Sequence, residues 1–481
     1  KSAFELLPDK IRDPIPENIR AAHGLCPLRF ALENIHLPQS MENMEAARKR
    51  LIFEELLILQ LGLLRLKGRS RAVSQLRLDH DCSEAFYDLL PFKPTEAQKR
   101  AVKEAVADMR SGFPMNRLIQ GDVGSGKTAV AAALFYCAVQ NGMQAALMAP
   151  TEILAQQHYA SLSALLTDVR IALLTGSMPA AKKRAVLETL RTGEVQLVVG
   201  THALLSEGVA FHRLGLVVTD EQHRFGVAQR AALASKGDHP HMLVMSATPI
   251  PRTLALMIYG DLDISILDEL PPGRQKIDTY AITSEKRQRA FRFIRKHIDE
   301  GRQCYIICPM IDEGQNDMAS VNEYAEKVRA EWLPGYSIGI LHGKMKPKQK
   351  ETVMAEFSQG KISVLISTTV VEVGVDVPNA VVMLIENAER YGLSQLHQLR
   401  GRVGRGEYKS TCILISDAQN EETVARLKSM CESNDGFQIA EQDLKLRGPG
   451  DFFGHRQHGL PELKIADMML NIDLLKEAQS V

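Results

Sequence analysis

The stretch Gly121-Asp122-Val123-Gly124-Ser125-Gly126-Lys127-Thr128 limits what this chain can fold into more than any other. An apolar run at 118–119 precedes it and a helical pattern at 129–139 follows it, which gives strand, glycine-rich loop and helix in that order. The glycines leave room for backbone N–H groups to surround an anion, and the positive end of the helix points towards it. Lys127 adds a cation for β- and γ-phosphates, and the Thr128 hydroxyl suits Mg²⁺. The pattern therefore predicts a loop that binds nucleotide phosphates together with Mg²⁺.

Apolar runs alternate with helical patterns from residue 118 onwards. The first series of runs fits buried strands at 118–119, 145–148, 170–174, 195–199, 216–218 and 242–245. A second series follows the break at Pro271-Pro272-Gly273, with runs at 303–308, 337–341, 362–367, 381–385 and 411–415. Strands that alternate with helices indicate α/β lobes with mainly parallel sheets, which bind ligands at the carboxyl ends of their strands.

We predict four regions from this pattern. Residues 1–90 form a helical connector, 91–268 a first lobe that binds the nucleotide, 275–417 a second lobe, and 418–481 a helical hairpin that ends in an irregular loop. Ser40 is a suitable N-cap for a long helix over 41–66. The part of this helix at 51–64 is apolar nearly all round, which predicts that it is buried against other elements.

Composition excludes few functions. The formal charge of the 481 residues is zero, so bulk electrostatics does not indicate nucleic acid, although a neutral total can hide a basic groove. The seven cysteines are scattered, and Cys304 and Cys308 fit a buried strand better than a metal site. Reduced thiols fit a cytoplasmic protein.

No apolar run approaches the roughly 20 residues of a membrane span, and the start at Lys1 rather than Met suggests a fragment.

Asp220 and Glu221 follow the apolar run at 216–218, in the same predicted sheet as the phosphate loop. Asp220 can hold Mg²⁺ through water, and Glu221 can orient and deprotonate an attacking water. His223 lies two residues further on, where it can sense the state of that site. The spacing favours metal-assisted phosphoryl transfer over an ordinary solvated turn.

The second lobe supplies cations in Gln398-Leu399-Arg400-Gly401-Arg402-Val403-Gly404-Arg405. Arg402 and Arg405 are three residues apart, so both can face one direction from a helix or turn. Phosphoryl transfer needs cations that neutralise the developing charge. We therefore predict that both arginines reach across a cleft to the γ-phosphate, rather than form a basic surface loop.

Four motifs together resemble superfamily-2 helicases: Gly-Asp-Val-Gly-Ser-Gly-Lys-Thr, Asp-Glu-Gln-His, Ser-Ala-Thr-Pro-Ile-Pro-Arg-Thr and Gln-Leu-Arg-Gly-Arg-Val-Gly-Arg. Residues 246–274, Asn434-Asp435-Gly436-Phe437 and Asp443-Leu444-Lys445-Leu446-Arg447-Gly448-Pro449-Gly450 resemble, more narrowly, the bacterial branch-migration helicases of the RecG family. The resemblance covers about residues 10–470. It implies two tandem RecA-like lobes that hydrolyse ATP and move along double-stranded DNA.

The resemblance also implies roles for individual residues. On the nucleotide side, Gln98 would contact the adenine base, and Mg-ATP would be held by Lys127, Thr128, Asp220 and Glu221. Arg402 and Arg405 match the arginine fingers. The fifth helicase motif is matched by Thr368, Glu372, Gly374 and Asp376.

On the DNA side, the resemblance implies a track of hydroxyls, amides and N–H groups that bind phosphates without reading sequence. The residues that would line it are Thr151, Gln156, Thr175, Gly176 and Thr201. Ser246 and Thr248 would couple the ATP state to DNA. In the segment 435–459, Arg447 and Gln457 would belong to the motif that turns lobe closure into DNA movement.

The implied substrates are branched double-stranded DNAs, namely stalled replication forks and Holliday junctions, remodelled in recombination and repair. Single-stranded DNA-binding protein is an expected partner, and we expect a monomer. Helicases of this kind carry an N-terminal wedge domain with an oligonucleotide-binding fold. No such barrel is visible before Ser40, so we expect that domain to be truncated.

Two alternative functions stay open at this point. A transcription-repair coupling translocase shares the lobes and the final hairpin, but it should carry a polymerase-binding module, which the proline-rich start does not show. A non-catalytic DNA-binding scaffold with a relic nucleotide site is opposed by the intact Lys127, Glu221, Arg402 and Arg405.

Overall fold

The computed structural model describes residues 11–69, 76–220, 227–247, 262–271, 275–308, 317–368, 377–447, 463–466 and 471–481. The chain forms two compact units. We call residues 72–250 and 264–443 the sheet unit, and residues 1–71, 251–263 and 444–481 the helical unit. The four regions inferred from the sequence divide the chain differently and stay a prediction.

The first sheet of the sheet unit has seven strands in the order β3-β4-β2-β5-β6-β1-β7. The pairs β3–β4, β4–β2, β2–β5, β5–β6 and β6–β1 are parallel. The strands are β1 (Asn116–Gly121), β2 (Gln144–Met148), β3 (Ile171–Leu174), β4 (Leu197–Gly200), β5 (Leu214–Thr219), β6 (His241–Ser246) and β7 (Asp263–Leu267).

The second sheet has six strands in the order β10-β11-β9-β12-β13-β8, and every neighbouring pair is parallel. Its strands are β8 (Asp278–Ile282), β9 (Gln303–Ile307), β10 (Ile338–Leu341), β11 (Val364–Ser367), β12 (Ala380–Ile385) and β13 (Thr411–Ile415). The predicted pair of parallel-sheet α/β lobes is therefore confirmed.

Helices connect and cover the strands. In chain order they are α1 (Glu17–Ala22), α2 (Leu28–His36), α3 (Met41–Arg69), α4 (Ser83–Tyr87), α5 (Glu96–Arg110), α6 (Lys127–Gln140), α7 (Glu152–Leu165), α8 (Ala180–Arg191), α9 (Val227–Ala234), α10 (Arg287–Asp299), α11 (Asp317–Lys327), α12 (Pro347–Ser358), α13 (Leu393–Arg400), α14 (Glu421–Glu432), α15 (Gly436–Arg447) and α16 (Ile472–Gln479). The helical N-terminal part and the two C-terminal hairpin helices agree with the predicted fold class.

Each sheet is buried on both faces because apolar residues fill successive positions of its central strands. In β2, Ala145 and Leu147 join one core cluster, whereas Ala146 and Met148 join the cluster on the opposite face. Strand β9 divides its side chains between two clusters in the same way. Cys304 and Cys308 are buried and reduced, as the apolar run predicts.

Two strands and the burial of one helix differ from the predictions. Strands β7 and β8 were not predicted, because each lies at the edge of its sheet and lacks the continuous apolar run of a central strand. Helix α3 is longer than predicted, and Ser40 caps it through a hydrogen bond from Asn43 N. The prediction that the apolar part of α3 is buried against other elements holds for one side of the helix only. Phe53 is fully buried, but Ile58 is 62% exposed, so α3 packs along one stripe.

A buried ion cluster holds the start of α3 within the helical unit. The Arg50 guanidinium is fully buried and bonds Asp13 Oδ1 at 2.6 Å and Glu54 Oε2 at 2.5 Å. Further along α3, Glu55 accepts the backbone N–H groups of Lys464, Ile465 and Ala466. These bonds lower the pKa of Glu55, although its partial burial opposes them.

Candidate nucleotide and DNA site

The strand order divides the carboxyl edge of the first sheet into two halves. The phosphate loop follows β1, Asp220 follows β5, and Ser246 ends β6, and these three strands are neighbours. Thr151, Gly176 and Thr201 follow β2, β3 and β4, which form the adjoining half. The predicted nucleotide residues and the predicted DNA residues therefore occupy neighbouring parts of one edge, where parallel sheets bind ligands.

Backbone conformation explains the glycines of the phosphate loop. Gly124 has φ 77° and Gly126 has φ 85°, a left-handed conformation that side chains rarely tolerate. A Cβ on Gly126 would overlap Nε2 of Gln98, and a Cβ on Gly121 would lie 2.5 Å from Ser125 Oγ and 2.8 Å from Cβ of Leu267 in β7. The loop can therefore keep this path only with glycine at these positions.

Lys127 and Ser125 direct their polar side-chain atoms into the phosphate loop itself. Lys127 Nζ donates to the carbonyl oxygens of Gly121 and Asp122, both at 2.8 Å. Ser125 Oγ is buried and has no hydrogen-bond partner among the described residues. A cationic head group beside a glycine cradle at the start of α6 matches what a triphosphate requires.

Gln98, on the first turn of α5, supports the phosphate loop through hydrogen bonds. Thr95 caps α5 and forms a capping box with Gln98: Gln98 N donates to Thr95 Oγ1 at 3.2 Å, and Thr95 N donates to Gln98 Oε1 at 3.0 Å. Gln98 Nε2 donates to Ser125 O at 2.9 Å, and the side chain is 2% exposed. These bonds engage both the oxygen and the nitrogen of the side-chain amide within the chain. The contact of Gln98 with adenine therefore stays a prediction.

A cleft of about 750 Å³ lies at this edge of the sheet unit. The first lobe contributes Gly124, Gly126, Lys127, Thr128 and Asp220 to its wall. Arg402 and Arg405, which follow α13 in the second lobe, line the same cleft. The structure thus brings together both arginines and the phosphate loop, although they are about 275 residues apart in sequence.

Asp220 is oriented by a histidine that the sequence did not single out. His158 of α7 is buried, and its Nε2 lies 2.8 Å from Asp220 Oδ2. A ring nitrogen at this distance from a carboxylate fixes the carboxylate rotamer. Nothing in the sequence links the two residues, which are 62 positions apart.

The second lobe contacts the phosphate loop directly. His397 of α13 places Nε2 2.6 Å from Asp122 Oδ1, and both side chains are largely buried. A Cβ on Gly401 would lie 2.9 Å from Cβ of Val123, so this glycine is needed for close approach. The half-exposed ring of Phe92 also lines the cleft. Sequence reasoning missed His158, His397 and Phe92, since only the folded chain brings them to the site.

The predicted DNA residues have different surroundings. Thr151 caps α7 by accepting from Leu154 N, and Gln156 is exposed on the same helix. Thr175 is buried and Gly176 exposed. The buried hydroxyls of Thr201 and Thr368 have no hydrogen-bond partner within the described ranges. Ser246 is buried at the end of β6.

Several predicted site residues lie outside the described residues. They are Glu221, His223, Thr248, Glu372, Gly374, Asp376 and Gln457. Arg447 ends α15, and its side chain is also outside the described part. Their predicted roles stay predictions.

In the described part of the chain, His, Cys, Asp and Glu side chains form no group of three or more that could hold a metal ion. None of the helices in this part combines the length and apolarity that crossing a lipid bilayer requires.

Family models match three parts of the chain. A DEAD/DEAH box helicase model matches residues 95–257, and a helicase conserved C-terminal domain model matches residues 285–407. A model described as ATP-dependent DNA helicase RecG, domain 3, C-terminal, matches residues 433–481.

Curated relatives match nearly the whole chain. The ATP-dependent DNA helicase RecG of Synechocystis sp. is 50% identical over 472 residues, which are 97% of this chain and 57% of that protein. The protein of the same name from Bacillus subtilis is 47% identical over 481 residues, or 98% of this chain and 70% of that protein. The chain thus spans somewhat more than half to about two thirds of the length of these relatives.

Solved structures of helicases are also similar to this chain. A RecG bound to a three-way DNA junction is 42% identical with a TM-score of 0.77, covering 97% of this chain and 62% of that one. Saccharomyces cerevisiae Dbp5, bound to RNA and ADP BeF3, is 18% identical with a TM-score of 0.53, covering 84% and 98%, and shows the shared fold alone. The two parallel sheets, the cleft shared by both lobes and the extent of these matches lead to one conclusion: the chain belongs to the RecG family of ATP-dependent DNA helicases.

Proposed function

We propose that this chain hydrolyses ATP and uses the hydrolysis to translocate along double-stranded DNA and remodel branched DNA. The observation that carries the proposal is the shared cleft, in which Arg402 and Arg405 of the second lobe face the same space as Lys127, Thr128 and Asp220 of the first. A site assembled from two lobes responds to lobe separation. ATP binding and hydrolysis can therefore drive relative movement.

The roles in the nucleotide site follow from the chemistry of each group. In this structure the Lys127 ammonium donates hydrogen bonds to the carbonyl oxygens of Gly121 and Asp122. When ATP is bound, phosphate oxygens accept these hydrogen bonds instead. Arg402 is 6% exposed and Arg405 is half-buried, so their charges act in a partly desolvated cleft. Glu221 remains the proposed base for the attacking water. Phe92 offers a ring on which the nucleobase can stack.

Thr128 and Asp220 are the proposed Mg²⁺ residues. Both line the cleft beside the phosphate loop and offer the hard oxygen atoms that Mg²⁺ prefers. Because His158 holds one oxygen of Asp220, the carboxylate is already oriented. When bound, Mg²⁺ would neutralise charge on the β- and γ-phosphates.

The proposed DNA track runs along the adjoining half of the sheet edge. Hydroxyl and N–H groups of Thr151, Thr175, Gly176 and Thr201 suit phosphate oxygens. The hydroxyl of Thr201 is buried and unsatisfied within the described ranges. In the second lobe, the hydroxyl of Thr368 is likewise buried and unsatisfied within the described ranges. Binding of this kind tracks the backbone and does not read sequence.

Branched DNA is proposed as the substrate because the relative bound to a three-way junction shares this architecture over nearly the whole chain. Repair and recombination are the proposed processes. A monomeric state, a cytoplasmic location and binding to single-stranded DNA-binding protein stay predictions. Light scattering and a pull-down with that protein would test the first and the last.

The proposal is tested by ATP hydrolysis and strand displacement on forked DNA, with linear duplex DNA of equal length for comparison. We expect DNA to stimulate hydrolysis and the fork to be unwound. The rate should fall steeply with salt and vary little with base sequence. Lys127→Ala should abolish hydrolysis, whereas Lys99→Ala, which removes an exposed lysine of α5, should leave it unchanged. Hydrolysis that ignores DNA, or that survives Lys127→Ala, would refute the proposal.

A further inference from the structure

The phosphate loop is held by a chain of buried hydrogen bonds that begins in the second lobe. Asp122 Oδ1 accepts Val123 N at 2.6 Å and lies 2.6 Å from His397 Nε2. His397 Nδ1 in turn lies 2.9 Å from Arg400 Nη2. His397 is 3% exposed and Arg400 is 2% exposed, so water competes little for these bonds.

The partners of His397 decide which of its ring nitrogens donates and which accepts. A guanidinium only donates hydrogen bonds, so Nδ1 beside Arg400 must be the bare, accepting nitrogen. The ring proton is therefore on Nε2, where it points at the carboxylate of Asp122. His397 is thus held as the tautomer that can donate to the phosphate loop, because the bond at one ring nitrogen decides the role of the other.

Arg400 is itself fixed from behind. Its Nη1 donates to the carbonyl oxygens of Met430 and Ser433, both at 2.8 Å, at the end of α14. Burial lowers the pKa of Arg400, but a guanidinium keeps its charge even so. With its donors divided between two carbonyls and one imidazole, Arg400 holds the ring of His397 in one orientation.

Backbone packing reinforces the same contact. Gly401 lies against Val123, where a Cβ would lie 2.9 Å from Cβ and 3.1 Å from Cγ2 of the valine. Consecutive loop residues, Asp122 and Val123, are therefore held by His397 and Gly401, which are one helical turn apart. Arg402 and Arg405 follow directly along the chain and line the cleft.

We propose that His397, oriented by Arg400, is a positioning residue that sets the distance between the phosphate loop and the arginines of the second lobe. The role rests on the proposed ATP hydrolysis, in which those arginines meet the γ-phosphate. His397 itself does not face the reacting atoms. Its contribution is to hold Asp122, so that the arginine segment keeps a fixed distance from the phosphate loop when the lobes are closed.

The bond between His397 and Asp122 can be measured without nucleotide. Unfolding by urea is compared for the parent, His397→Ala, Asp122→Ala and the double variant. A charge-assisted buried hydrogen bond predicts a coupling of roughly tenfold in the unfolding equilibrium constant. Long-range proton–nitrogen spectra of the imidazoles should show His397 with a protonated Nε2 and a bare Nδ1. Arg400→Gln should change that pattern.

The kinetics of ATP hydrolysis distinguish a positioning role of His397 from a merely structural one. In His397→Ala we expect kcat to fall by roughly tenfold or more while KM for ATP changes little, because the arginines act on charge that develops in the transition state. His397→Gln should recover most of the rate, since an amide can accept from Arg400 and donate to Asp122. His297→Gln on α10 is the control, because that histidine pairs with Glu300 outside the cleft.

The outcomes separate this proposal from the proposed function. An additive double-mutant cycle, or a His397 ring protonated at both nitrogens, would overturn the positioning role even in an active enzyme. A normal kcat in His397→Ala would do the same. If the parent protein failed to hydrolyse ATP with DNA, the proposed function would fail. The cycle and the spectra would still decide whether His397 holds the phosphate loop.

Discussion

Replacing Gln98 by methionine separates the two roles that this side chain can have. Methionine keeps the length and volume of glutamine but removes the bonds to Thr95 N and Ser125 O. At about 0.5–1.5 kcal/mol for each neutral hydrogen bond, the change should lower the free energy of unfolding by about 2 kcal/mol. Gln98→Ala adds a cavity at a side chain that is 2% exposed, which should raise the loss to about 3–4 kcal/mol.

The effect on nucleotides follows from the bond to Ser125. Without it the phosphate loop loses a support beneath its backbone, so KM should rise for ATP and for GTP by similar factors. Urea unfolding and steady-state hydrolysis of both nucleotides measure the two effects, and Lys99→Met, at the exposed neighbouring position, is the matched control. A Gln98→Met protein that unfolds like the parent but loses its preference for ATP would refute the supporting role and favour adenine recognition.

Three further predictions concern His241, His158 and Glu55. Burial lowers the pKa of His241 to about 4, although the bond between its Nε2 and Leu76 O opposes this shift. Its Nδ1 accepts the backbone N–H of Met115. The neutral ring is the folded form, so its stabilisation is complete above pH 6.5 and is lost as pH falls towards 4, by about 3 kcal/mol in total. His241→Asn should flatten this part of the unfolding profile, and an unchanged profile would contradict the assignment. His158→Ala should reduce kcat by roughly tenfold, with His158→Gln less impaired; equal rates in parent and alanine variant would remove its role beside Asp220. Glu55→Gln should lower the free energy of unfolding by about 1–3 kcal/mol, since a neutral amide accepts three N–H groups less well than a carboxylate. The control is Glu45→Gln, at an exposed position of α3. A loss in Glu55→Gln no larger than that of the control would contradict the prediction.

Much of the fold can be predicted from the sequence because central parallel strands need continuous apolar runs. The run at 303–308 became β9, and the run at 411–415 became β13 with the same limits. The edge strands β7 and β8 escaped because only one side of each is paired, so polar residues such as Asp278 are tolerated there. The exposed side of α3 was not predictable, because an apolar composition does not tell which faces of a helix pack against other elements.

The site was predictable where local chemistry and spacing carry information. The phosphate loop needs its glycines for φ and its lysine for charge, and both requirements are visible in sequence. The bonds between His158 and Asp220 and between His397 and Asp122 were not predictable, because single histidines on helices carry no pattern. Gln98 shows a related limit: its amide suits adenine, but only the fold shows that it caps α5 and holds Ser125.

The central claim is that arginines of the second lobe complete the hydrolytic site of the first. The most direct measurement is the single-turnover rate of ATP hydrolysis by Arg405→Ala with saturating DNA, beside the control Arg292→Ala at an exposed position of α10. We predict a rate lower by roughly a thousandfold with ATP binding nearly retained, because Lys127 and the loop stay intact. A rate in Arg405→Ala equal to that of the control would contradict it.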